Sequence, residues 1–238
     1  MGRSDTMKVF WIIVILLAVI AGGFVVVPAL APQVTEKTVM RDAEVTVGDT
    51  MAAMNQSELA LTMYDYALSA NTSDTVILKK KGEMLLKTGQ SGEAAKIYEQ
   101  VLSQDNNDPT ALMRMGDSQV KAGNLDAALS YYDAALAITP DDSKILMKKG
   151  DTYLLMSSLE LQKLQAAAKA LAQQPGTPGY QPASSAGQVD SMQSYQNAMT
   201  AYQKAMQIDP KLSVFISARV MSATQNQVAS YQELLNNF

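Results

Sequence analysis

The hydrophobic pattern of this chain changes its rhythm once. Val9 to Val27 is an unbroken apolar run without a charge. Farther on, apolar residues recur three and four apart, the spacing of amphipathic helices, and polar turns such as Gly89-Gln90-Ser91 and Gly123-Asn124 interrupt them. The helical part is written in copies. Gly82, Ala94, Tyr98 and Val101 return 34 residues later as Gly116, Ala128, Tyr132 and Ala135, and Leu78 returns as Leu112. A fixed period of this kind predicts stacked helical hairpins, each burying its apolar face only against its neighbours. Gly82 and Gly116 suit the crossing of the two helices in one unit, where a missing side chain lets backbones approach. Ala94 and Ala128 are the small partners of that crossing. Tyr98 and Tyr132 are expected to fill the space between one unit and the next.

Two further copies flank this pair. Gly48, Ala60, Tyr64 and Ala67 lie 34 residues before Gly82, Ala94, Tyr98 and Val101, and Asn55-Gln56-Ser57 stands where the turn belongs. The first helix of this copy is its weak part, since Val45-Thr46-Val47 disfavours helix and Glu44 replaces Leu78. The last copy begins with Leu146, Gly150 and Tyr153 and resumes with Ala198, Tyr202, Ala205 and Pro210. From Gly150 to Ala198 is 48 residues, against 12 from Gly82 to Ala94. The insertion, about 160–196, predicts that both helices overshoot as a long hairpin. Leu161, Leu164, Ala168 and Leu171 mark the outgoing helix, a Pro/Gly/Ser-rich stretch over 175–187 the loop, and Val189, Met192 and Tyr195 the return. Leu161, Leu164, Leu171 and Met192 are the expected hairpin contacts, and a homo-oligomer could form through apolar surface the hairpin leaves open. Residues 213–238 read as a capping helix with a polar outer face.

These motifs resemble the tetratricopeptide repeat family over roughly residues 41–238. The units are a degenerate one at 41–74, two regular ones at 75–108 and 109–142, and one at 143–212 that carries the hairpin insertion. The resemblance implies an all-α helical-hairpin solenoid that binds protein or peptide partners, with the first helices lining a groove. Carried onto this sequence, the lining is Val76, Lys79, Lys80, Glu83 and Leu86, then Met113, Arg114, Asp117 and Val120, then Met147, Lys148, Asp151 and Leu154. Lys80, Arg114 and Lys148 repeat at 34, as do Glu83, Asp117 and Asp151. They are readable either as a charge ladder for a polar peptide or as i,i+3 ion pairs within each helix. Some family members grip a C-terminal carboxylate with asparagines and basic residues. Lys79, Lys144 and Lys148 fit that clamp, but Glu83 and Arg114 stand where it needs asparagine.

The apolar run changes the picture at the N-terminus. At about 1.5 Å per residue, 9–27 matches the hydrocarbon thickness of a bilayer, giving a tail at 1–8, a transmembrane helix at 9–27 and a linker at 28–40. The rival is a cleaved signal peptide, with Ala29-Leu30-Ala31 as its cleavage pattern. Arg3, Lys8 and the amino terminus predict a cytoplasmic N-terminus with the repeats on the outer side. Composition narrows the chemistry. There is no histidine and no cysteine, so the commonest general base, thiol nucleophile and soft metal ligands are missing. No cofactor or metal is expected, and the chain is not read as an enzyme. A formal charge of −4 without a basic stripe gives no reason to expect nucleic acid. Lys79-Lys80-Lys81 reads as a solvated face, and Asp141-Asp142 as the cap of the following helix. Asn55-Gln56-Ser57 and Asn71-Thr72-Ser73 are glycosylation sequons of low specificity. The expected function is a membrane-tethered adaptor or scaffold that recruits protein partners at the cell envelope. The alternative is a structural subunit of a larger membrane or surface assembly.

Overall fold

Every copy of the period folds as a helical hairpin in the computed structural model, which describes residues 36–172 and 185–236. The pairs are α1 (Glu36–Ala53) with α2 (Ser57–Ala70), α3 (Thr75–Lys87) with α4 (Ser91–Gln104), and α5 (Pro109–Lys121) with α6 (Leu125–Ile138). The last pair is α7 (Ser143–Ala172) with α8 (Ser185–Ile208), followed by a 3-10 turn at Pro210–Leu212 and a capping helix α9 (Ser213–Asn236). The all-α solenoid is as the period predicts.

Local chemistry sets the element ends. Asn55, Gly89 and Gly123, one per turn, take φ of 62°, 84° and 82°. This left-handed residue lets the next amide bond back into the helix: Gln56 N reaches Met51 O at 2.8 Å, Gln90 N Leu85 O at 2.8 Å, and Asn124 N Gln119 O at 2.9 Å. Glycine adopts this backbone without strain and asparagine tolerates it, so the degenerate copy keeps its turn without the glycine. Asp74, Asp108 and Asp142 cap α3, α5 and α7; Asp142 Oδ1 accepts from the amides of Lys144 and Ile145.

The core explains the repeated glycine. A Cβ on Gly82 would stand 2.7 Å from Tyr98 Cζ, one on Gly48 2.7 Å from Tyr64, and one on Gly150 2.6 Å from Tyr202. Each tyrosine ring therefore lies on the glycine of its own unit, which corrects the expectation that the tyrosines fill the space between units. The alanines at 60, 94, 128 and 198 are fully buried on the same second helices.

Three further expectations are corrected. The linker at 28–40 ends early, because α1 is already helical at Glu36. Val45-Thr46-Val47 is helical as well. Val45, Met51 and Ala52 pack on the Ala60–Tyr64 cluster, and the Thr46 and Thr50 hydroxyls donate to the carbonyls of Asp42 and Thr46, so burial overrides weak propensity. Helix α8 has started by Ser185, inside the stretch read as loop; residues 173–184 lie outside the described ones. The hairpin itself closes on serine. Ser157 Oγ donates to Ser191 O at 2.9 Å, and Ser191 Oγ returns to Ser157 O at 3.3 Å. Small hydroxyls satisfied by the opposite backbone let α7 and α8 pack closely. Among the described residues no helix is long and apolar enough to cross a membrane; the run 9–27 lies outside them.

Candidate functional site

The first helices α1, α3, α5 and α7 present the repeated charges, and the structure joins them across units. Lys80 pairs with Asp49 at 2.5 Å, Arg114 with Glu83 at 2.7 Å, Lys148 with Asp117 at 2.7 Å, and Arg219 of α9 with Asp151. Each rung links a carboxylate of one unit to a cation of the next. The i,i+3 reading survives only at Arg114–Asp117, at 3.3 Å, and elsewhere among the described residues it gives way to these cross-unit pairs. The glycine position explains the carboxylates. Each follows a glycine, and the buried tyrosine on that glycine extends its hydroxyl to the acid: Tyr64 to Asp49 at 2.9 Å, Tyr132 to Asp117 at 2.9 Å and Tyr202 to Asp151 at 2.6 Å. At Glu83 the longer side chain reaches past the ring, and Tyr98 donates instead to Lys79 O at 3.3 Å.

The other predicted groove residues fall on both sides of the surface. Val76 is exposed, Val120, Met147 and Leu154 are half-buried, and Leu86 and Met113 are in the core with 6% and 5% of their surface exposed. Leu86 and Met113 are therefore corrected as groove walls: α3 and α5 turn them onto neighbouring helices, in the clusters around Leu85 and Ala135. The lysine run is corrected too. Successive residues on a helix point about 100° apart, and Lys79, Lys80 and Lys81 reach Asp108, Asp49 and Asp65 at 2.7, 2.5 and 2.6 Å. Burial raises the Asp108 carboxyl, but the Lys79 ammonium and the Ala111 amide outweigh it, and the net shift is downward. Burial likewise lowers the Arg114 guanidinium, and Glu83 and Asp117 more than reverse it. These charges are committed to one another. Glu83 and Arg114, which bond each other, also have no asparagine-like role to play in a carboxylate clamp.

What the ladder leaves open lies at its C-terminal end. Helix α7 runs past the solenoid and α9 leans against it, and an open cleft of about 840 Å³ lies between them. Leu154 and Leu155 from α7 and Ala218, Ala223 and Ala229 from α9 supply its apolar surface, with Leu161 buried at its base, and Ser158, Gln162, Gln165, Ser222, Asn226 and Gln227 line it with polar groups. The Asp151–Arg219 rung is the charged part of the lining. Two bonds brace the α9 wall: Gln227 Nε2 donates to Ser157 Oγ at 2.8 Å, and the Tyr195 and Thr224 hydroxyls meet at 2.8 Å. The lining offers apolar contact and, at Gln162 and Asn226, side-chain amides, a match for a peptide segment. Of the expected hairpin contacts, Leu161 is buried, Leu164 half-buried and Met192 exposed; the Leu171 side chain lies outside the described ones. Sequence reasoning missed the α9 wall. The signal available was the run of amides, Gln162 and Gln165 on one face of α7 and Asn226-Gln227 on the cap.

The fold is an all-helical solenoid of stacked hairpins, and part of it carries tetratricopeptide repeats. The tetratricopeptide repeat family model matches residues 85–151 and a second one matches 190–212, so the second match falls on the returning helix of the interrupted unit. Among solved structures, the chain is similar to the crystal structure of MamA protein, with 16% identity over 83% of this chain and 91% of that one and a TM-score of 0.54. It is also similar to MamA 41-end from Desulfovibrio magneticus RS-1, with 17% identity over 84% and 96% and a TM-score of 0.53. At these identities the likeness concerns the fold. No curated protein matches the sequence.

Proposed function

We propose that this chain is a membrane-tethered scaffold that captures an uncharged, apolar segment of a protein partner in the α7–α9 cleft. One observation carries the reading: the charges of the first helices neutralise each other rung by rung, whereas the cleft offers leucine and alanine beside side-chain amides. Apolar contact supplies affinity, and amides recognise a peptide backbone without selecting for charge. The tether is the apolar run 9–27, supported by its length and lack of charge, and Arg3 and Lys8 favour a cytoplasmic N-terminus with the repeats on the outer side. Recruitment at the cell envelope follows from that arrangement.

The test is a pair of charge substitutions, Leu155→Arg and Ala223→Arg, in the full chain expressed in its own cells. Loss of co-purifying partners with unchanged helical circular dichroism is the expected outcome. Undiminished capture by both variants contradicts the cleft. Protease added to intact cells is expected to remove the repeats; full protection reverses the orientation.

A further inference from the structure

The chain contains two Asn-x-Ser/Thr sequences, Asn55-Gln56-Ser57 and Asn71-Thr72-Ser73, and the structure separates them. Such a sequence can accept a glycan on its side-chain amide nitrogen. Asn71 lies in the turn between α2 and α3 with extended backbone, φ −149° and ψ 98°. Asn71, Thr72 and Ser73 are all exposed. Asn71 Oδ1 accepts from the Ser73 amide at 3.1 Å, and its Nδ2 bonds to nothing among the described residues. Asn55 is instead left-handed, at φ 62°. Its amide and that of Gln56 bond back into α1, and Ser57 is already the half-buried first residue of α2. Folding does not call for the sequence at 71–73. In the corresponding turns Asp105 Oδ1 accepts from the Asn107 amide at 3.0 Å, and Asp209 Oδ1 from the Lys211 amide at 3.1 Å. A carboxylate therefore makes the same turn, and the third position needs no hydroxyl. The amide at 71 and the hydroxyl at 73 are surplus to the fold.

We propose that Asn71 is an N-glycosylation site, the acceptor for a glycan carried on a lipid-linked phosphate outside the cytoplasm. The new bond joins Nδ2 to the anomeric carbon of the first sugar. The bond from that carbon to the lipid phosphate oxygen breaks, the lipid phosphate leaves with the electron pair, and Nδ2 gives up one proton. The transferring enzyme must take up both the amide and the hydroxyl two residues on. Asn71 and Ser73 offer both to solvent on an extended stretch of chain, whereas Asn55 and Ser57 are tied to two helix ends. The proposal rests on the outer-side orientation of the repeats proposed above and is independent of the cleft.

The full chain is purified from its own cells and digested with trypsin, and the peptide 42–79, which carries both sequences, is weighed by mass spectrometry. A mass excess that fragments into sugars is expected in the wild type, in Ser57→Ala and in Ser73→Thr. The excess is expected to be lost in Asn71→Asp and in Ser73→Ala. Asn71→Asp keeps the turn, as Asp105 does, and an unchanged helical circular dichroism shows that the loss is not one of folding. An excess that survives Asn71→Asp, or that disappears in Ser57→Ala, overturns the site. So does an unmodified peptide from cells in which external protease removes the repeats, a result that leaves the orientation standing. An unmodified peptide with the repeats fully protected overturns the orientation and the site together.

Discussion

Asp117 is the centre of the charge ladder, and removing it tests whether the rungs hold the units together. Its carboxylate accepts from Tyr132 at 2.9 Å, from Lys148 at 2.7 Å and from Arg114 at 3.3 Å, and its side chain is only 12% exposed. Asp117→Ala takes the carboxylate from the buried Tyr132 hydroxyl and from Lys148, and leaves Arg114 with Glu83 alone. A hydroxyl bond contributes about 1 kcal/mol and a bond to a charge about 1.5–3. Lys148 and Arg114 keep 24% and 20% of their side-chain surface in water, so the charged share belongs at the low end, and the expected loss is about 3 kcal/mol. For a chain of this size that lowers Tm by about 6–12 °C. Asp49 holds the same place in the first unit but is 45% exposed, and Asp49→Ala is expected to lose about 1 kcal/mol or less. Thermal and urea unfolding followed by circular dichroism compares the two, and an Asp117→Ala, Lys148→Ala cycle isolates the rung. A coupling of about 1–2 kcal/mol is expected. Equal losses at positions 117 and 49, or additivity within about 0.3 kcal/mol in the cycle, refute the ladder as an interface device.

Two other perturbations follow from the core. Gly82→Ala is expected to destabilise by about 1–3 kcal/mol through overpacking on Tyr98, whereas Gly92→Ala, with nothing within 4 Å of its Cβ, leaves stability unchanged or raises it in the same urea assay. The phenols of Tyr64, Tyr98, Tyr132 and Tyr202 are pushed above their ordinary value of 10.0, in each case chiefly by burial. The folded state then holds protons that the unfolded state releases, so this stability is complete below about pH 10 and falls as the pH climbs above it. A titration at 295 nm should show these four of the 10 tyrosines ionising only as the helical signal collapses.

The solenoid was legible because its determinants are local and periodic. Gly82 and Tyr98 announce a crossing, and the long interval from Gly150 to Ala198 announces an insertion. The structure repeats that arithmetic: Tyr202 and Asp151 are 51 residues apart, Tyr132 and Asp117 only 15. The rungs were not legible, because spacing within one helix shows Lys80 beside Glu83 but not Asp49 arriving from the preceding unit. Leu86 and Met113 fit a groove by register, and only packing reveals that they turn inward. Helix α1 was obscured by Val45-Thr46-Val47, whose poor propensity matters less than the contacts Val45 makes. The cleft needed α9 to be set against α7, a long-range relation made by Arg219 and Gln227 that no local pattern announces.

The central claim is that the cleft between α7 and α9, and not the charge-filled face of the first helices, meets the partner. The direct measurement places a photo-cross-linking amino acid, one position at a time, at Leu155 and Ala223 in the cleft, at Val76 on α3 and at Ser130 on α6, in the full chain in its own cells. Adducts to another protein from Leu155 and Ala223, with none from Val76 or Ser130, are the predicted result. Adducts from Val76 with none from the two cleft positions contradict the account.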